Sequence, residues 1–107
     1  MEFRLINCQA SQDLYNQLPL KVEVENFSNN EKIFYLSNKL SVENTSTPST
    51  VGVGTLAYSR PWGNVVMFYD SLVPNSDLYE LGSAISGESL IRNLSDTVTI
   101  EKEDNNE

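Results

Sequence analysis

The chain has no histidine. That excludes a Ser-His-Asp triad, a Cys-His dyad and every histidine-bearing zinc site. Its single cysteine, Cys8, excludes an internal disulfide and a thiolate metal cage. Cys8 has no histidine to activate it, and the nearest cation in sequence is Arg4. It reads as a buried structural thiol, and it fits a reducing, cytoplasmic compartment. Basic residues are scarce: seven Lys and Arg stand against fifteen Asp and Glu, for a formal charge of −8. Nucleic acid and anionic membranes both need a basic face, so neither is an expected partner. No apolar run approaches the ~18 residues of a membrane span, and no signal peptide is expected at the N-terminus. Gly52-Val53-Gly54 lacks the rest of a dinucleotide fingerprint or a phosphate loop. No catalytic residue, metal site or cofactor is therefore expected. The sequons at Asn26, Asn44 and Asn93 carry no weight in a chain so rich in Asn, Ser and Thr.

What is present is a series of short apolar segments. The 107 residues make one domain. The folded body is expected over 1–100, with an acidic flexible tail over 101–107. Phe3–Ile6 reads as a strand. Ser11–Leu18 reads as a short helix with Ser11 as N-cap, ended by Pro19. Leu20–Glu25 alternates with period two, Leu20, Val22 and Val24 facing inward. Ile33–Leu36 is a short apolar segment, and further strands are expected at Val53–Tyr58, Val65–Tyr69, Leu78–Ile85 and Thr97–Ile100. The run Val65–Tyr69 suits a strand buried on both faces. Gly82, inside a strand, marks a bulge or a close backbone approach. Asn44–Val51 reads as a polar, mobile loop, and Ser86–Leu94 as a second helix capped by Ser86. Val22, Val24, Leu56, Val66, Phe68, Leu81 and Ile85 are the expected core. Many strands and two short helices point to a mainly β, closed antiparallel barrel with helices at its ends.

Two stretches carry a resemblance. "GTLAYSRPWGNVVMFY" (Gly54–Tyr69) resembles the signature of a small bacterial and archaeal family of cyclophilin-like proteins of unknown function. "LYELGSAISGESL" (Leu78–Leu90) is similar to that family's Leu-Gly-x-x-x-Ser-Gly segment. "DLYNQLPLKVEVENF" and "EKIFYLSNKLS" look like its two earlier blocks, so the likeness spans about residues 5 to 100. It implies a closed cyclophilin-like barrel of eight strands with two helices. The chain departs from the pattern in three places. The family usually has one more strand before the segment matching Phe3–Ile6, so the expectation is either a start further upstream or an open seam, and with the seam a homodimer or a narrowed barrel. Arg60 stands where the family has a small residue. Ser37 and Asn38 stand where it has proline and a basic residue.

The loop Ser59–Asn64 holds the only tryptophan. One reading is a hairpin turn: Pro61 fixes its own φ, and Gly63 and Asn64 tolerate positive φ. The other makes Trp62 and Tyr58 the aromatic wall of a groove, with Arg60 and Asn64 as its polar groups. The two are compatible. Tyr58, Arg60, Trp62 and Asn64 are thus the candidate ligand-binding residues. The ligand would be a small molecule or an extended, proline-containing peptide. A prolyl isomerase is the alternative, and a purely structural or assembly role the third. An isomerase needs a donor to the prolyl nitrogen. True cyclophilins use an arginine beside Phe-x-x-Gln-Gly-Gly, whereas this chain has no glutamine after Gln17. Of the three arginines, only Arg60 lies near the aromatic pair Tyr58 and Trp62 in sequence.

Overall fold

Alternating apolar residues lay down an antiparallel sheet. In the computed structural model, which describes residues 1–103, the strands are β1 (Glu2–Leu5), β2 (Leu20–Phe27), β3 (Glu31–Tyr35), β4 (Thr55–Ser59), β5 (Asn64–Phe68), β6 (Leu78–Ser86) and β7 (Asp96–Ile100). One α-helix, α1 (Gln9–Asn16), follows β1, and a 3₁₀ helix, Glu88–Asn93, precedes β7. The spatial order is β1-β6-β4-β5-β3-β2-β7, every pair antiparallel.

The sheet curls but does not close. β1 pairs only with β6, and β7 only with β2. The expected closed barrel is therefore a curled half-barrel of seven strands, with the outer edges of β1 and β7 free among the described residues. The end strands are short, at four and five residues, and no further strand joins them. Side chains span the gap instead. The Lys102 ammonium stands 4.7 Å from the centre of the Tyr15 ring of α1, and the neighbouring Glu2 carboxyl raises that of Glu103 above its ordinary value. Of the tail expected over 101–107, residues 104–107 lie outside the described residues.

Strand alternation puts a separate core on each face of the sheet. The concave face gathers Val24, Phe34, Leu56, Tyr58, Val65, Met67 and Leu81, with Ala10 and Leu14 of α1 and Ile91 of the 3₁₀ helix pressed into it. The outer face gathers Ile33, Ala57, Val66, Phe68 and Leu78 under Val51 and Leu72. β5 is accordingly buried along its whole length. The loop before β4 is not free as expected. Glu80 N–H donates to the Ser46 carbonyl, Ala10 N–H donates to Thr45 Oγ1, and Val51 bridges Leu72.

Three local expectations change. Ser11 is not a cap, since α1 begins after Cys8; buried Ser11 Oγ donates to the Leu81 carbonyl at 2.7 Å and ties the helix to β6. The second helix is a 3₁₀ turn entered through Gly87 at φ 76, not an α-helix capped by Ser86. Ile85 is 51% exposed rather than core. It is the extra residue of a bulge, because Glu2 pairs with Ser86 while Phe3 pairs with Ala84, and the slip reverses the inward phase. Gly82 does mark a close approach. A Cβ there would collide with the carbonyl oxygen of Arg4 and lie 3.0 Å from Leu5 Cα.

Candidate functional site

The register of the central strands sets the site. Tyr35 pairs with Asn64, Ile33 with Val66, and Glu31 with Phe68. Ser59 lies opposite Asn64 on one side and Leu78 on the other. Glu31, Ile33, Tyr35, Ser59, Asn64 and Val66 thus share the outer face. The hairpin after β4 turns up beside them. Gly63 N–H donates to the Ser59 carbonyl at 2.8 Å, closing an i to i+4 turn. Gly63 sits at φ 67, where a side chain would be strained. Arg60 N–H donates to the Asp77 carbonyl at 3.1 Å, which ties the turn to the segment before β6.

Together these elements enclose a cavity of about 240 Å³. Ile33, Val66 and Leu78 contribute apolar surface to it. Pro61 and Trp62 enter from the hairpin, Phe27 and Tyr35 from β2 and β3, and Leu72, Asn75 and Asp77 from the connection to β6. Trp62 is 69% exposed, Phe27 53% and Tyr35 49%. Three half-open aromatic side chains around one hollow form an apolar patch of the kind that marks an interaction site.

The polar groups of the cavity are few. Asn64 lines it and is 5% exposed, and its buried Oδ1 has no hydrogen-bond partner. A buried acceptor left in this state costs about 1–3 kcal/mol. Glu31 is partly withdrawn from water, and this desolvation raises its carboxyl above the ordinary 4.5. Asp77 supplies a second carboxylate, and no lysine or arginine lines the hollow.

The four residues singled out from the sequence therefore separate. Trp62 and Asn64 come together at the cavity. Tyr58 does not join them; it is 1% exposed within the concave core, its hydroxyl accepting the Leu40 N–H at 3.2 Å. Leu56 and Tyr58 are two apart on one strand, so both face inward. Arg60 is exposed and its side chain does not line the cavity. Sequence reasoning missed Phe27, Glu31, Tyr35 and Asp77. The period-two phase of β3 was the available signal, since Tyr35 and Glu31 share the face of Ile33.

A curled antiparallel sheet with a helix packed into its concave side defines a cyclophilin-like class of β domain. The chain belongs to the cyclophilin-like family, whose family model matches residues 1–103. No curated protein and no solved structure matches it. Among the described residues there is no group of three or more Cys, Asp or Glu side chains able to hold a metal ion. No helix of these residues is long and apolar enough to cross a membrane.

Proposed function

We propose that the protein is a binding module, and that its ligand, a small molecule or an extended peptide, sits in the groove beside the Pro-Trp-Gly-Asn loop. The observation that carries this reading is the convergence of the exposed Phe27, Tyr35 and Trp62 around one hollow that Asn64 also lines. Covering water-exposed aromatic surface is favourable, so these side chains gain from a ligand that buries them. Prolyl isomerase chemistry draws no support from the groove, because the arginine it needs does not line it.

The test is a chemical-shift screen of small metabolites and proline-containing peptides on the labelled protein. Ligands of the groove should move the Trp62 indole and the amides of Tyr35 and Asn64 together. Shifts confined to other surfaces, or none across the screen, would refute the reading. The same spectra reveal isomerase activity as exchange between cis and trans peptide signals.

The free edges of β1 and β7 support a second, independent reading, a homodimer in which β1 of one copy pairs with β7 of another. Light scattering decides it: a mass of 12.0 kDa rejects the dimer.

A further inference from the structure

We infer that the groove selects a small organic cation: an apolar body bearing one ammonium group. This rests on the groove being a binding site and names what it takes.

Charge complementarity carries the argument. The charged side chains lining the cavity are Glu31 and Asp77, both acidic. Glu25 lies on the same outer face, opposite Ile33. None of the neighbouring cations lines the hollow; Lys39 packs its side chain along Gly63 of the hairpin without entering the lining. Lys32 follows Glu31 on β3 and so points to the other face, where its ammonium lies 5.9 Å from the centre of the Tyr69 ring. Arg92 stands 5.4 Å from that same ring. Arg60, nearest along the chain, is exposed and does not line the hollow. An anionic ligand would meet two carboxylates and no counter-charge.

Two further features suit a cation. Trp62 and Tyr35 border the hollow, and aromatic rings attract ammonium groups through their quadrupoles. The volume of about 240 Å³ is small; drug-sized ligands occupy roughly 300–1,000 Å³. A single ring or short aliphatic chain with one charged head fills it. The partial burial of Glu31 fits as well, since a carboxylate held short of water gains most from a counter-ion.

Three probes with one ring and different heads test this: 2-phenylethylammonium, 2-phenylethanol and phenylacetate. Each is titrated against the full chain at neutral pH, read by Trp62 fluorescence and by amide shifts. The ammonium should bind about tenfold or more tighter than the alcohol, the range expected for a hydrogen bond to a charged group. Phenylacetate should bind weakest. Raising the salt should weaken the ammonium more than the alcohol. Glu31→Gln should narrow the ammonium-to-alcohol ratio to below about threefold, with thermal melting as the check on folding. If the alcohol or phenylacetate binds the wild type as tightly as the ammonium, cation selection is wrong and the groove reading stands. If all three leave Trp62 and the amides around it unmoved, cation selection is wrong, and the groove reading is decided by the peptides and metabolites of the wider screen.

Discussion

Replacing Trp62 with alanine separates a binding wall from a structural latch. A large aromatic side chain presents up to about 250 Å², and Trp62 is 69% exposed in the fold. Roughly a third of that surface is covered. At about 25 cal/mol per Å² its loss costs at most about 2 kcal/mol of stability, an upper bound because unfolded chains bury some surface already. Phe68 is the internal standard. It is 0% exposed in the outer-face core, and Phe68→Ala should cost about 3–5 kcal/mol. In a domain of this length each kcal/mol moves Tm by about 4–8 °C. Differential scanning fluorimetry should therefore place Trp62→Ala within about 15 °C of wild type and Phe68→Ala well below it. Any groove ligand found by the shift screen should lose about 2 kcal/mol or more of affinity with Trp62→Ala, as central aromatic anchors do. If Trp62→Ala unfolds the protein, or melts as low as Phe68→Ala, the hairpin is a latch and the groove loses its wall.

Gly82→Ala should destabilise sharply, by more than the ~1 kcal/mol of an ordinary backbone effect, because its Cβ meets the β1 backbone at Arg4; chemical denaturation measures it. Tyr58→Phe removes the hydroxyl that accepts the Leu40 N–H, leaving a buried donor unpaired at about 1–3 kcal/mol with no loss of groove binding. Glu31→Gln should act through pH. The carboxyl's folded value lies above 4.5 because burial disfavours its charge, so the folded state holds the proton to higher pH than the unfolded chain. The wild type then loses stability as pH rises from 4.5 through the folded value, and ionised Glu31 is a cost at neutral pH. Glu31→Gln should raise Tm at neutral pH, and the gain should vanish near pH 3, where both states are protonated; an equal gain at both pH values would refute the assignment to charge.

Strand positions were legible where alternation or an unbroken apolar run was strong. Leu20, Val22 and Val24 pack on the concave core as their phase predicts, Leu20 and Val22 only partly covered. The run after Asn64 is covered on both faces. The strand pattern pointed to closure and the departure from the family pattern before Phe3 to an open seam; the end strands do not pair with one another, and no residue of β1 or β7 by itself encodes that distance. Ile85 failed for a local reason, a one-residue slip against β1 that composition does not announce.

The site was half legible, and the reason lies in strand phase. Trp62 and Asn64 stand out as residue types in a loop signature. Glu31 and Tyr35 look like an ordinary charge and an ordinary aromatic until the register places Tyr35 beside Asn64 and Glu31 beside Phe68. Tyr58 was read as a neighbour of Trp62 because it is near in sequence. The same parity that put Leu56 in the core puts Tyr58 there too, and sends Ser59 and Asn64 to the opposite face. That parity also decides the ligand's charge. Had the groove opened on the concave side, Lys32 would face it; on the outer side the β3 residue is Glu31. The preference for a cation is thus a consequence of which face of one strand the hairpin leans over.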